Sequence, residues 1–156
     1  MELKIQELPF GQRTNQYEPD RRLLEHIGEP GFRKLVSDHY DLLVQSEIKN
    51  MFPGPGPALD QAKKNSSDYF IERLGGPKYF SENRGKPMLS RRHAPFKISP
   101  QGRVVWLGCY RQLLPKLDAP EEAIVAFWNW LHELSNWMVN TPRDIDISGF
   151  SVNVPK

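Results

Sequence analysis

The chain has 156 residues, a length that suits one domain built around a single core. Its formal net charge is only +2, so the charge balance indicates neither nucleic acid nor an anionic membrane surface as a partner. No apolar run approaches the roughly 20 residues of a membrane span, and no signal-peptide pattern is present. The single cysteine, Cys109, excludes an intrachain disulfide and a multi-cysteine metal site. We therefore expect a cytoplasmic protein.

Three segments are predicted from the distribution of periodic residues. Residues 1–18 carry Pro9 and Gly11 without a sustained hydrophobic period, so we expect an N-terminal arm with at most local structure. Residues 19–142 form the folded domain. Residues 143–156 look strand-like in places but are isolated, and we expect a tail that lies on the surface.

Apolar residues in steps of three and four predict two helices in the first half of the domain. A short helix ends at Gly28, and a longer one follows with a stripe formed by Phe32, Leu35, Val36, Tyr40 and Leu43. Ser46 caps a brief turn that ends at Pro53.

A third helix is predicted from about Ala58 to Gly75, with an inner stripe formed by Leu59, Ala62, Ser66, Tyr69, Phe70 and Leu74. Residues 77–88 contain Pro77, Gly85 and Pro87 and show no period, so we expect an ordered loop.

The second half of the domain begins with a short helical turn at Leu89–His93. Ser99 as N-cap and Pro100 at the first position then start a helix that stops at Pro115. The last helix opens with Glu121 and ends at Thr141-Pro142. No ladder of strands can be built from the remaining residues, so the predicted fold class is all-α.

His93 is unusual because Pro95 follows it closely and prevents a helix from continuing. A single histidine is more often structural than a ligand. Zinc is poorly supported, since a zinc site needs three or four protein ligands and His26, His39 and His132 are not at ligand spacing. Haem supplies four ligands of its own and needs only one histidine from the protein.

Three more side chains could belong to a pocket. Tyr40 and Trp106 each offer a donor on an aromatic body, although both are also ordinary core residues. Ser66 lies on a buried stripe, where it could bond to its own helix carbonyl or contribute a polar group to the pocket. Arg92 could be a solvated charge or could pair with a carboxylate, and Cys109 suits a small buried position.

Three motifs recur in order: GGPKYFSENRGKP, RRHAPFKIS and VVWLGC. With these motifs, residues 20–140 resemble the truncated haemoglobins, specifically group II of the two-over-two globins. The resemblance implies a two-over-two helical sandwich that encloses haem b. It also implies that His93 is the proximal iron ligand, that Arg92 pairs with a propionate, and that Tyr40 and Trp106 are distal hydrogen-bond donors.

The resemblance extends to the walls of the haem pocket and to two departures from the family. We expect contacts with the cofactor from Phe52, Tyr69, Phe70, Leu89 and Phe96, and a small distal residue at Ala62. Ser66 stands where the family more often has leucine or glutamine, and Phe80 stands where some relatives have tyrosine.

Three functions follow from these observations as alternatives. The first is reversible binding of dioxygen, carbon monoxide, nitric oxide or similar ligands by a monomer or homodimer. The second is a haem enzyme of peroxidase or nitric-oxide-detoxifying type, which would need an external reductant such as a separate reductase. The third is a helical interaction module without cofactor, supported only by Trp128, Trp130 and Trp137, which could also form a homodimer face.

Overall fold

The computed structural model describes residues 1–12 and 19–142, and every regular element in these residues is helical. The predicted all-α fold class is confirmed. The helices are α1 (Arg22–Leu43), α2 (Pro57–Arg73), α3 (Tyr79–Arg84), α4 (Leu89–His93), α5 (Pro100–Leu113) and α6 (Glu121–Met138), with short 3-10 turns at Lys49–Met51 and Leu114–Lys116. The predicted tail, 143–156, and the last part of the predicted arm, 13–18, lie outside the described residues.

The predicted break at Gly28 is present as a sharp kink inside α1. Gly28 has φ +72° and ψ 173°, which lies outside helical geometry, and Pro30 opens the next turn. A residue with a β-carbon rarely adopts this positive φ, so glycine is required there. The kink lets the first turns of α1 and its long second part point in different directions.

The N-cap predicted for α5 is confirmed. The Ser99 side chain accepts a hydrogen bond from the backbone N–H of Gly102 at 3.0 Å, and Pro100 occupies the first helical position. The helix ends at Leu113, close to the predicted stop.

The loop predicted for residues 77–88 is wrong over half its length, because Tyr79–Arg84 form α3. The Glu72 carboxylate accepts hydrogen bonds from the backbone N–H of Ser81, at 2.8 Å, and from its hydroxyl. Phe80 is buried in the core. Such a short helix has little intrinsic stability, so these tertiary contacts hold it in place.

Two helix pairs form the body of the domain. α1 packs against α2, α5 packs against α6, and α1 also crosses α5. The pairs meet at a cluster of aromatic rings, in which Phe127 lies 5.3 Å from Phe32 and 5.9 Å from Phe70 in edge-on geometry. This aromatic cluster is the centre of the core.

The interaction face suggested by three tryptophans of the last helix is not present as such. Trp128 and Trp130 are 3% and 4% exposed, whereas Trp137 is 37% exposed. Trp130 belongs to the aromatic cluster, where its ring lies 5.6 Å from Phe70. The expectation of a shared exposed aromatic face was wrong, because two of its three members fill the core.

The first twelve residues hold no helix or strand, yet they pack against the domain. Leu3 and Leu8 are buried, and the Trp128 indole N–H donates to the carbonyl oxygen of Lys4 at 3.1 Å. Burying two leucines stabilises the docked segment by a few kcal/mol, on the order of 2 per side chain. This contact with α6 was not predicted.

A buried arginine completes the attachment of this segment. Arg103 donates from its guanidinium to the carbonyl oxygens of Gln6, at 2.8 Å, and His132, at 3.0 Å, and to the Ser135 hydroxyl at 3.0 Å. It is only 4% exposed, and burial lowers its pKa. All three of its nitrogen atoms therefore have partners, as a buried charge requires.

Among the described residues, no helix combines the length and the apolar character that a bilayer crossing demands.

A buried aspartate ties α2 to α1. Asp68 is 2% exposed, and its carboxylate lies 2.8 Å from both the Arg33 guanidinium and the Lys64 ammonium group. Burial alone would raise the pKa of Asp68, but the hydrogen bonds and charges of Lys64 and Arg33 outweigh it and lower the pKa.

We expect Asp68→Asn to lower the free energy of unfolding by about 1–3 kcal/mol, because the charge-assisted bonds are lost. Because the pKa is lowered in the folded state, this contribution is present above the ordinary aspartate pKa and is lost as the pH falls through the folded-state value. Chemical denaturation at pH 7 and at pH 3 measures it. Asp38→Asn removes the exposed pair with Lys34 and should cost less than about 0.5 kcal/mol. Equal losses in the two variants would contradict the prediction.

We also expect docking of the N-terminal segment to weaken in acid. His132 donates from Nδ1 to the Trp128 carbonyl at 3.1 Å and accepts at Nε2 from the backbone N–H of Gln6 at 3.2 Å. Burial, together with the charge of Arg103, lowers the pKa of His132. His132 therefore binds a proton more readily in the undocked state than in the docked state. Docking consequently weakens as the pH falls below the ordinary histidine pKa.

The measurement is hydrogen exchange at the Gln6 amide, compared at pH 7 and pH 5 after correction for intrinsic rates. His132→Gln keeps an acceptor near Gln6 but cannot take a proton. Protection of the Gln6 amide should therefore change less between pH 7 and pH 5 in this variant than in the wild type. Lys4, Arg103 and Glu133 are the other charged groups that line this contact and remain unchanged in both proteins. Equal loss of protection in both would exclude His132 as the cause.

Candidate functional site

A cavity of about 380 Å³ lies between the two helix pairs. This volume is in the range of pockets that hold small molecules and cofactors. Every side chain that the sequence analysis assigned to a site lines it, from α1 to α5: Tyr40, Phe52, Ser66, Tyr69, Phe70, Leu89, Arg92, His93, Phe96 and Trp106. The fold thus brings together residues that are up to 66 positions apart in the chain.

The cavity wall is mainly apolar. Hydrocarbon and aromatic side chains form most of it, including Ile48, Met51, Phe80, Leu134 and Met138 in addition to the predicted aromatics. Ala62, the predicted small distal residue, also lines it. Such a wall suits a large apolar ligand, and its low polarity strengthens the hydrogen bonds of any polar group placed within it.

His93 is the last residue of α4, and its ring orientation is fixed by the helix itself. Its Nδ1 lies 2.7 Å from the carbonyl oxygen of Leu89, one turn earlier. A carbonyl oxygen only accepts, so Nδ1 carries the proton and Nε2 keeps a free lone pair. This is the arrangement in which a histidine is prepared to bind a metal through Nε2.

Tyr40 and Trp106 reach the same cavity from α1 and α5. Burial raises the pKa of the Tyr40 phenol, and a hydrogen bond with the Ser66 side chain offsets this in part. Ser66 lines the cavity together with Tyr40, and its role there stays a prediction. The Tyr40 ring also lies edge-on to Phe52, with centroids 5.8 Å apart.

Arg92 is held by the backbone of the turn before α4. It donates to the carbonyl oxygens of Pro87 at 2.6 Å, Arg84 at 3.0 Å and Lys86 at 3.1 Å. That turn contains Met88 at φ +43°, a left-handed conformation that is costly for a side chain of this kind. In this structure, Arg92 stabilises the strained turn that positions α4, a role that the sequence did not indicate.

His39 is the main residue of this region that sequence reasoning missed. It is 1% exposed, it contacts the tryptophan of the site, and burial lowers its pKa to about 3. A signal was available, because position 39 follows Phe32, Leu35 and Val36 on the buried face of α1 at steps of three and four. Tyr40, its neighbour, faces the cavity instead.

The donor set in the cavity fits haem better than a metal ion bound by protein ligands alone. Among residues 1–12 and 19–142, no group of three or more His, Cys, Asp or Glu side chains could hold a metal ion. One histidine with a free Nε2, apolar walls and the cations Arg84 and Arg92 at the cavity match a flat, apolar cofactor with its own metal and carboxylates. The cofactor expected from the sequence is thus compatible with the residues present.

Comparison with known proteins gives the same family throughout. The family model described as bacterial-like globin matches residues 22–140. Group 2 truncated hemoglobin YjbI of Bacillus subtilis is 28% identical over 125 residues, which are 80% of this chain and 92% of that protein.

Solved structures agree with the sequence relatives. Phosphate-bound Hell's gate globin IV superimposes with a TM-score of 0.78 at 30% identity, covering 95% of this chain and 94% of the other. The truncated oxygen-avid haemoglobin of Bacillus subtilis gives a TM-score of 0.69 at 28% identity, covering 75% and 98%. The two helix pairs therefore form the two-over-two sandwich of these proteins, as expected. The chain belongs to the bacterial-like globins, a family that implies a haem cofactor, and its resemblance to the group II truncated haemoglobins is confirmed.

Proposed function

We propose that this globin binds haem b through Nε2 of His93 and holds dioxygen, or a related diatomic ligand such as carbon monoxide or nitric oxide, on the distal side. The observation that carries the proposal is the Nδ1 contact with the Leu89 carbonyl, which leaves Nε2 free in an apolar cavity. The similar haemoglobin of Bacillus subtilis is described as oxygen-avid, which supports dioxygen as the ligand.

Haem, when bound, supplies the iron atom that takes the gas, and the protein supplies the environment. The Tyr40 hydroxyl and the Trp106 indole N–H are the donors proposed to stabilise a partly negative ligand. Ser66, bonded to Tyr40, limits where that phenol can point. In a dry pocket each such hydrogen bond is stronger than in water, because solvent does not compete for the donor.

The remaining residues of the cavity exclude water and retain the cofactor. The aromatic side chains of Phe52, Tyr69, Phe70 and Phe96 would contact the ring faces and edges, and Ala62 leaves space beside the distal donors. Arg92 or Arg84 would pair with the carboxylates of the cofactor, since both guanidinium groups are at the cavity. A gas-binding role in the cytoplasm belongs to the same proposal.

The first test is haem binding by the purified protein. Wild type supplied with haem should give a Soret band and a pyridine haemochrome of b type. His93→Ala should lose stable haem binding, because it removes the proposed iron ligand. His26→Ala is the matched control, since His26 is exposed on α1 and outside the cavity, and it should behave as wild type. A wild-type protein without a Soret band would refute the proposal.

The second test concerns Trp106. Trp106→Phe keeps an aromatic ring but removes the indole donor, so dioxygen should dissociate about five-fold faster or more, as expected for a bond of about 1 kcal/mol. Stopped-flow displacement of dioxygen by carbon monoxide measures the rate. Trp137→Phe, on the exposed part of α6, serves as the control and should leave the rate unchanged. An unchanged rate in Trp106→Phe would show that the indole does not contact the ligand.

A further inference from the structure

His39 occupies a closed space directly behind the cavity wall. Its ring stacks on the ring of Tyr110, with centroids 3.5 Å apart and planes 16° apart, and lies edge-on to Trp106 at 5.1 Å. It is 1% exposed and does not itself line the cavity. Any effect of His39 on a ligand in the cavity must therefore act through Tyr110 or Trp106.

The imidazole makes one polar contact across the two helix pairs. Nε2 of His39 lies 3.0 Å from the backbone carbonyl oxygen of Trp106. The oxygen only accepts, so Nε2 carries the proton and donates. Within α5 the same oxygen is the helical acceptor for the N–H of Tyr110, so the imidazole occupies its second lone pair.

Burying the polar imidazole costs desolvation free energy that an apolar ring of the same size would not cost. Burial lowers the pKa of His39 to about 3, and the bond to the Trp106 carbonyl offsets this only in part. The imidazole is therefore neutral throughout the physiological range. The hydrogen bond that it makes from α1 to α5 therefore persists over this pH range and is not a pH switch.

The acceptor of this hydrogen bond belongs to Trp106, the proposed distal donor. Because the bond ends on the backbone of Trp106, it fixes the distance between α1 and the part of α5 that carries the indole. The edge-on contact restricts the indole ring from behind. A donor whose backbone and ring are both held loses little freedom when a ligand accepts its hydrogen bond.

We propose that His39 is a positioning residue that sets the location of the Trp106 indole in the distal pocket through its bond to the Trp106 carbonyl. This inference rests on the proposed function, since it concerns the donor assigned there. His39 does not contact the ligand, so its effect should depend entirely on the presence of Trp106.

The test compares His39→Gln with His39→Met. The two side chains are nearly equal in length, but only glutamine carries an amide N–H at about the position of imidazole Nε2. In the haem-loaded protein, His39→Met should shift the C–O stretching band of the carbonyl complex and speed dioxygen dissociation about five-fold. His39→Gln should stay close to wild type in both. If His39→Met does not fold, His39→Phe keeps the stack on Tyr110 without the donor and takes its place.

Two further measurements separate positioning from a purely structural role. The first is a double-mutant cycle. In a Trp106→Phe background, His39→Met should cause no further shift of the C–O stretching band and no further change in the rate of dioxygen dissociation. In the haem-free protein, the indole N–H resonance of Trp106, assigned by its loss in Trp106→Phe, should differ between His39→Met and His39→Gln, because both variants lose the imidazole ring and only glutamine keeps the donor. This resonance tests His39 even if the protein fails to bind haem.

A lowered melting temperature in His39→Met, with the band and the rate unchanged and the indole resonance at the same position as in His39→Gln, would overturn the inference. So would an equal shift in the presence and absence of Trp106. Absence of a Soret band in the wild type would instead refute the proposed function alone.

Discussion

A cavity of about 380 Å³ in the middle of a small domain is the constraint on which the structure depends. Protein interiors are normally close-packed, so the side chains that line a space of this size must be supported by contacts on their other sides. Aromatic rings supply much of this support. Phe32 and Phe70 each meet Phe127 edge-on, with Phe70 itself lining the cavity, and the stack of His39 on Tyr110 lies behind the wall.

The polar groups of the core are arranged around the same constraint. Three buried polar side chains of the core each join two elements: Asp68 joins α2 to α1, His39 joins α1 to α5, and Arg103 joins α5 to α6. These bonds fix the separations of the helices that surround the cavity. Arg103 also lines the cavity, whose wall carries the guanidinium groups of Arg84 and Arg92 as well.

Much of the fold could be predicted because the relevant signals are local. Gly28 and the Ser99-Pro100 pair act on their own neighbours, and the apolar stripes of the long helices require only a count of spacing. The membership of the cavity was also accessible, since the motifs around His93 and Trp106 carry a family resemblance. No local signal marks α3, whose six residues depend on Glu72 and on burial of Phe80. Such elements depend on tertiary contacts, and periodicity does not report these.

Two further features that the sequence did not show also depend on distant partners. His39 and the first twelve residues owe their roles to partners 67 and 126 positions away, namely the Trp106 carbonyl and His132. A short segment with Pro9 and Gly11 gives no sign that Leu3 and Leu8 will be buried. The choice between a gas binder and a haem enzyme is set by rates and reductants, and it stays a prediction.

Arg103 contacts both the cavity and the N-terminal segment, because it lines the cavity and also donates to the backbone of Gln6. A guanidinium buried at this depth needs its acceptors, so a chain without the leading segment would leave the arginine without the Gln6 carbonyl. Relatives that lack the segment should carry a smaller or apolar residue at the position of Arg103. In lineages that gained the segment, the arginine should have been acquired with it, so the two features should be present or absent together across the family.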